Sequence, residues 1–541
     1  MINSMLSNFN PVNEPVLNYA PGSPEREALK KALEEAKSSE KDIPMIIDGQ
    51  KIFTDKKVRV FPPHEHSYTL GFFYEGDGKH VQDAIEAAQK AKHNWSSMQW
   101  QERAQIFLHA ADLISGKYRY KINAATMLGQ SKNAYQAEID SACEMADFLR
   151  FNVKYLIEIY GIQPASCEGI KNELEYRPLE GFVFALTPFN FTAIAGNLPA
   201  APALMGNTII WKPAYQQVYS AQILMEIFME AGLPDGVINM IFVEGPLVGE
   251  IIFKHEDFGG IHFTGSTNVF RNIWKAIGEH IHIYKSYPKI VGETGGKDFV
   301  VAHSSADVKK LSVALLRGAF EYQGQKCSAA SRAYIPDNLW DSVKDLLLID
   351  MKTLKSGSPE DFSNFINAVI DEKAFDRISG YIEKARHSQH AKIIAGGSYN
   401  KTTGYFIEPT VILTTDPHFI TMEEEIFGPV LTVYVYKEKE FEQVLELIDQ
   451  TSPYALTGAV FSQDNEAIEM AKRKLLHAAG NFYINDKPTG AVVNEQPFGG
   501  ARASGTNDKA GSVLNLLRWV SPRTIKTNFH SPLDYRYPFL S

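Results

Sequence analysis

The first position that could do chemistry is a cysteine in polar company. In Phe320-Glu-Tyr-Gln-Gly324-Gln-Lys-Cys327-Ser328 the thiol follows a glycine and stands beside Lys326. Structural cysteines normally sit in apolar runs, whereas a neighbouring ammonium or helix N-terminus lowers a thiol pKa and favours the nucleophilic thiolate. Upstream, Val291-Gly-Glu293-Thr-Gly295-Gly296 sets one carboxylate in a glycine-rich turn. Backbone there can approach a ligand closely. Taken alone, Glu293 reads as a solvated turn residue; together with Cys327 it reads as the general base of a nucleophile. No His–Asp pattern accompanies Cys327, so a protease triad is not indicated. The turn Thr264-Gly265-Ser266-Thr267 closes an apolar run and opens a helical one. Such a turn is either an anion site or an ordinary helix cap. Cys143 lies on a helical pattern and Cys167 in a polar loop, both without a chemical context. His64-x-His66 and His280-x-His282 lack further ligands at metal spacing, so no metal is expected.

These residues need elements to hold them. From Gly181 onward short apolar runs alternate with helical segments: GFVFALT (181–187), NTIIW (207–211), VINMIFV (237–243) and IHFTG (261–265). This is the rhythm of βαβ units around a parallel sheet buried on both faces. A second series follows from about 298, with DFVVA, SRAYIP, PVLTVYVY (429–436) and TGAVFS (457–462). The first 160 residues read largely as helices, at about 24–38, 81–97, 102–115, 117–130 and 136–160. Ser23-Pro24 is a good start for the first, with Ser as cap and Pro at the first helical position. Glu168–Tyr176 reads as a polar insert, a projecting hairpin, and the Tyr-rich tail as packing on another surface. The glycines nowhere form the G-x-G-x-x-G of the usual dinucleotide fold, so any pyrophosphate must be held differently.

A chain of 541 residues predicts two to four domains, and 44% hydrophobic with 22% charged residues excludes disordered, collagen-like and coiled-coil classes. A net charge of −10 provides no field for nucleic acid or an anionic membrane surface. Three cysteines cannot make a disulfide framework, which fits a reducing compartment. No signal-peptide pattern precedes Arg26, the first arginine, and a cytoplasmic location is expected. Gly181–Trp211 carries no charge but contains three prolines and three asparagines, so it reads as buried strand, loop and helix rather than a membrane span.

Seven motifs then fall in the order of one family. TPFNF (187–191), WKPA (211–214), FTGS (263–266), GETGG (292–296), GQKC (324–327), EEIFGP (424–429) and PFGG (497–500) together resemble the aldehyde dehydrogenase superfamily over nearly the whole chain. More narrowly, 187–207, 318–334 and 478–511 resemble the Δ1-pyrroline-5-carboxylate dehydrogenase branch, which oxidises glutamate γ-semialdehyde. The resemblance implies an α/β aldehyde dehydrogenase fold. Residues 1–165 and 181–290 would form a Rossmann-like NAD-binding domain with N-terminal helices, and 291–495 an α/β catalytic domain. Residues 166–180 and 505–541 would form a small oligomerisation flap and tail, and the enzyme would be at least a homodimer.

The same resemblance implies the site. Cys327 would attack the aldehyde, Asn190 and the Cys327 N–H would hold the oxyanion, and Glu293 would activate the hydrolytic water. NAD would lie against Thr187, Lys212, Gly265, Ser266, Glu425 and Phe427. The substrate would be sandwiched by Phe191 and Phe498 and its carboxylate held by Ser328, Gly490 and Ala491. Two departures stand out: Phe270 replaces a second glycine of the phosphate turn, and Tyr215 replaces a ribose-binding glutamate three residues after Lys212. The latter weakens the basis for NAD over NADP. Two other functions compete, a semialdehyde dehydrogenase that passes its acyl group to CoA and a catalytically silent binding protein. Glu293 argues against the first, and the joint presence of Cys327, Glu293 and Asn190 against the second.

Overall fold

A computed structural model describes residues 9–540. The first eight residues, part of the 1–165 segment, and Ser541 lie outside the described residues. Two seven-stranded sheets dominate. In the first, the strands Lys289–Glu293, Phe258–Thr264, Phe182–Leu186, Ile209–Lys212 and Ile238–Met240 lie side by side in that order, all parallel. The strand Phe258–Thr264 is buried along its whole length, as a sheet covered on both faces requires. In the second sheet the order is Ala391–Ala395, Thr410–Thr414, Val430–Tyr436, Ala330–Pro336, Asp298–Ala302, Thr457–Phe461 and Asn481–Ile484. Only its first strand is antiparallel to its neighbour. The eight strand runs expected from apolar patterning all fall in these two sheets.

The N-terminal region departs from its helical reading. Between the helices Pro24–Lys37 and Gly78–Ser97 lie five short strands. Met45–Ile47 and Gln50–Ile52 form a hairpin through Asp48-Gly49 and extend the first sheet past Ile238–Met240. Asp-Gly between apolar residues is a strong hairpin signal, masked in the sequence by the long helical patterns around it. Lys41–Ile43, Gly71–Tyr74 and Lys57–Val60 form a separate small sheet. The expected helix 136–160 is interrupted as well. Asn133 caps Ala134–Ala137, a π-helical turn follows over Glu138–Glu144, and an α-helix resumes at Met145–Gly161. Glu138 and Asp140, both buried in that turn, have partners on other elements, and the wider turn accommodates them.

The polar insert turns back at Cys167–Ile170, whose N–H and C=O groups bond each other at 3.0 and 3.1 Å, and the long strand Ile170–Pro178 runs out from that turn. It pairs antiparallel with Val520–Asn528 over nine residues, Ile170 opposite Asn528. Residues 505–519, grouped with the tail in the sequence, pack on the first core instead. Trp519 is buried against His262 with ring centroids 4.7 Å apart, and its carbonyl accepts from Asn207 at 2.9 Å. Beyond the ladder, Leu533, Tyr535 and Phe539 are exposed. Among the described residues no helix is long and apolar enough to cross a membrane.

Candidate active site

The carboxyl end of the strand Lys289–Glu293 and the loop before Ala330–Pro336 meet at a cavity of about 350 Å³. Its lining includes Cys327, Glu293, Phe191, Ser328, Gly490, Ala491 and Phe498. Residues from distant parts of the chain are thus brought to one space, at the strand ends where open α/β sheets place ligands.

The Cys327 loop is tightly specified. Gly324 has φ +64°, and a Cβ there would collide with the Gly428 carbonyl, so only glycine fits. Tyr322 and Gln323 just before it are also left-handed, at φ +50° and +54°. Such conformations persist in larger residues only where surroundings impose them. The Tyr322 hydroxyl donates to the Gln130 carbonyl at 3.0 Å, and the Gln323 amide donates to the Ser131 and Ala368 carbonyls.

The thiol's electrostatics reverse the expectation from Lys326. That ammonium is bound by Glu321 at 3.0 Å, both side chains largely buried, so its charge is taken up locally. Burial, followed by the carboxylates of Glu293, Asp298 and Glu425, pushes the Cys327 thiol well above its ordinary range. The resting nucleophile is a neutral thiol, and a proton must leave before or during attack.

Glu293 ends its strand inside the cavity. Burial pushes its carboxyl up to about 8, opposed by the Lys509 ammonium and reinforced by Asp508. Its Oε1 is buried without a hydrogen-bond partner, which leaves an acceptor free for a water or a proton. The segment 503–510 braces it: Thr506 N–H donates to the Gly292 carbonyl and Thr294 N–H to the Ser504 carbonyl. Lys509 Nζ donates to the carbonyls of Gly480 at 2.8 Å and Gly499 at 3.0 Å, tying down the loop that carries Phe498.

Asn190 is buried and donates one amide N–H to the Gln325 carbonyl at 3.1 Å, two residues before the thiol. An amide has two N–H groups, and the other remains for an oxyanion. Phe191 follows and lies in the cavity wall. At the far end, Ser328 Oγ and Thr489 Oγ1 are 2.7 Å apart, and Lys487 donates to the Thr489 carbonyl beside Gly490. Thr489, Lys487 and Glu144 also line the cavity; the first two lie in the 478–511 stretch beside Gly490, where the sequence does not single them out, and Glu144 lies in no motif. Burial, aided by Asp140, pushes Glu144 up to about 8, against the pull of Lys132. Its only sequence signal is an acidic residue on a face that helical periodicity would bury.

Of the residues expected to hold the nucleotide, Thr187, Lys212, Gly265 and Ser266 lie at the carboxyl ends of strands of the first sheet, and Glu425 and Phe427 lie before the strand Val430–Tyr436 of the second. Lys212 ends its strand with its ammonium 4.8 Å above the Tyr215 ring, and burial pushes it down to about 8. Tyr215 in turn donates to Glu75 Oε1 at 3.0 Å. A carboxylate therefore stands beside Lys212 after all, supplied from the end of the strand Gly71–Tyr74. Thr187 accepts from Trp211 Nε1 at 3.1 Å and sits beneath Lys212. Ser266 caps the helix Thr267–Glu279 by accepting from Val269 N–H, with Gly265 just before it. Phe270 does not reach across this turn. It stacks on Phe263 with centroids 5.2 Å apart and fills the space of a Cβ on Gly292. Glu425 accepts from Gly296 N–H at 2.9 Å, and Phe427, left-handed at φ +54°, packs edge-on to Phe189. Both line a smaller hollow behind Cys327 with Gly296 and Lys326. His64 is buried and bonded to Ser131, and among the described residues no three His, Cys, Asp or Glu side chains converge to hold a metal.

Comparison with known proteins agrees with this layout. Residues 52–525 match the model of the aldehyde dehydrogenase family. A Dictyostelium discoideum protein named Delta-1-pyrroline-5-carboxylate dehydrogenase, mitochondrial, is 53% identical over 533 residues, 98% of this chain and 96% of that one. The human protein of the same name is 47% identical, covering 99% and 95%. The structure of the Mycobacterium tuberculosis enzyme bound with NAD superposes with a TM-score of 0.95 at 50% identity, over 98% of each chain.

Proposed function

Since this chain belongs to the aldehyde dehydrogenase family, we propose that it oxidises L-glutamate γ-semialdehyde, the open form of Δ1-pyrroline-5-carboxylate, to L-glutamate with NAD. The observation that carries this reading is the convergence of Cys327 and Glu293 on one cavity, with Asn190 bonded into the Cys327 loop at the Gln325 carbonyl and the polar groups of Ser328, Thr489, Lys487 and Glu144 in the same lining. Lys212, the Gly265–Ser266 turn, Glu425 and Phe427 would hold NAD, which when bound would supply the hydride acceptor. The fit rests on Lys212 with its Glu75–Tyr215 partner, a helix N-terminus without acidic residues in its first turn, and Glu425 beside Gly296.

The protein's own groups do the rest. The Cys327 thiol gives its proton to solvent or to ionised Glu293 as its sulfur bonds the aldehyde carbon, and the carbonyl π electrons move to oxygen, where the Asn190 amide and Cys327 N–H would stabilise them. Hydride loss from that adduct leaves a thioester on Cys327. Glu293 then removes a proton from water as its oxygen attacks the thioester carbon. Collapse breaks the C–S bond and releases the carboxylic acid, while the departing sulfur takes up the proton that Glu293 removed from water and the neutral thiol is restored. The semialdehyde carries a carboxylate and an ammonium at its other end. Ser328, Thr489 and the Gly490–Ala491 backbone offer donors to the carboxylate, with Lys487 alongside. Glu144, in the same cavity, offers the ammonium a carboxyl oxygen. Phe191 and Phe498 flank the methylenes.

A kinetic panel tests the substrate. A site built to hydrogen-bond a group rejects analogues lacking it by up to about 10⁴-fold. Glutamate γ-semialdehyde is therefore expected to exceed pentanal and hexanal in kcat/KM by about 10³-fold or more. Equal efficiency on pentanal, or a preference for succinic semialdehyde, removes the narrow assignment and leaves the family intact.

The choice of NAD over NADP has its own support. Glu75, which accepts from Tyr215 and is paired through its other oxygen with the exposed Lys56 at 2.8 Å, sets a carboxylate near Lys212, where a 2′-phosphate would meet it. Glu75→Gln is expected to narrow the NAD preference by about fivefold, since a like-charge contact of this kind is worth on the order of 1 kcal/mol. An unchanged ratio of kcat/KM for the two nucleotides assigns the selectivity elsewhere. The outer edge of 170–178 is taken up by Cys167, Ser166, Gln163 and Tyr160, but that of 520–528 is open, and with the exposed Leu533, Tyr535 and Phe539 it supports a homodimer formed by strand addition. A monomeric mass by light scattering at micromolar concentration rejects it. A reducing, cytoplasmic location fits the three free thiols, although the Dictyostelium and human relatives are named mitochondrial; cell fractionation decides.

A further inference from the structure

The mechanism leaves one buried ion pair unused. Lys132 and Asp140 are essentially unexposed and meet at 2.7 Å. Asp140 lies in the π-helical turn, and its two oxygens accept the N–H groups of Thr192 and Ala193, each at 2.9 Å. Those are the first two orphan donors of the helix Thr192–Leu204, whose own N-cap position is Phe191 and has no side chain able to cap. The cap is supplied from another element. Asn190 stands two residues before that helix, so the same two bonds fix where its backbone leaves the turn.

Lys132 completes the arrangement. Its ammonium lies 4.0 Å from the Phe191 ring centroid and 4.5 Å from that of Tyr322, a cation held between two aromatic rings and a carboxylate. Tyr322 is one of the three left-handed residues of the nucleophile loop, five positions before Cys327. The neighbouring Gln130 reaches the same segments: its Nε2 donates to the Phe189 carbonyl, its Oε1 accepts from Thr192 Oγ1 at 3.0 Å, and its own carbonyl accepts from Tyr322. One stretch, 130–140, thus grips the oxyanion segment and the nucleophile segment together. Stability alone is a weak reason for such a pair, because desolvating two charges roughly cancels their attraction and an apolar replacement is often as stable.

We propose that the Lys132–Asp140 pair is a positioning device that sets the Asn190 amide in register with the Cys327 sulfur. This rests on the roles assigned above to Asn190 and Cys327. Neither Lys132 nor Asp140 touches the reacting atoms; they act through Phe191, Tyr322 and the helix start. Asp140→Asn turns one acceptor into a donor and so loses one of the two caps while keeping volume.

A double-mutant cycle with Asn190→Ala tests it in the full-length enzyme, with thermal melting and NAD binding followed in parallel. Removing an oxyanion donor costs about 10²–10³ in kcat, so N190A is expected to fall by that factor. D140N is expected to fall by about tenfold or more, with KM changed less than about threefold, because the oxyanion exists only after attack. In the N190A background, D140N should add less than about threefold, since the amide it positions is already gone. A full, additive loss in that background overturns the proposal, as does an unchanged kcat in D140N. A normal kcat in N190A instead overturns the oxyanion role of Asn190 itself. Should D140N fail to fold, the neutral pair K132M/D140N replaces it in the cycle with the same expectations. Failure of both to fold assigns the pair to stability and likewise overturns the proposal.

Discussion

Cys327→Ala loses steady-state oxidation of any aldehyde by at least about 10⁴-fold, while NAD still binds. Covalent nucleophiles account for factors of this size because the oxyanion donors and base have no adduct to act on without them. The nucleotide residues Lys212 and Ser266 lie on the first sheet and its helix, and the substitution removes only a sulfur from a loop of the second. The loop should hold its shape, since Gly324, Tyr322 and Gln323 are fixed by backbone and buried amide bonds that do not involve the thiol. The measurement is NADH appearance at 340 nm with glutamate γ-semialdehyde, alongside NAD binding by protein fluorescence. Turnover within tenfold of the unaltered enzyme ends the assignment of Cys327. Absence of NADH formation in the folded, unaltered enzyme with every aldehyde tried favours the silent-member reading.

Glu293→Gln separates the two half-reactions. Acylation and hydride loss need the thiol and Asn190, whereas hydrolysis needs a base. The variant is expected to release about one equivalent of NADH per active site in a burst and then turn over about 10²–10⁴-fold more slowly. Quenched-flow or stopped-flow recording at 340 nm reads both phases. Equal slowing of both would show that Glu293 also takes the thiol proton, a role the neutral resting thiol leaves open to it. Acyl-CoA formation on adding CoA would transfer the enzyme to the acylating class. The pH dependence follows from the same carboxyl. With its pKa pushed up to about 8, Glu293 is mostly protonated at pH 7 and gains base strength as pH rises through 8. The deacylation rate is therefore expected to climb roughly tenfold between pH 7 and 9, and this limb should vanish in E293Q. A flat profile in the unaltered enzyme contradicts it.

Much of this enzyme is legible locally. The parallel strands announce themselves as short, doubly buried apolar runs because burial on both faces leaves no polar alternation to confuse. The Cys327 loop, the Glu293 turn and the Ser266 cap are each contiguous, so residue type and spacing expose them without any knowledge of the fold. Other features depend on what lies beside them in space. Lys326, adjacent to Cys327 in sequence, cannot activate it because Glu321 binds its charge, and three carboxylates that face the sulfur come from other segments. Tyr215 stands where the family pattern has a carboxylate, yet Glu75 supplies one from 140 residues away. The short strands between 41 and 74 stay hidden because three- and four-residue strands carry too few apolar positions to show a period, and partners alone define them. Glu144 and Asp140 sit in what reads as one continuous helix, with Lys132 just before it. Sequence determined which groups exist and which local turns present them. Tertiary structure decided which charges face which, because Coulomb attraction and desolvation depend on distance and burial, and neither is written in the order of residues.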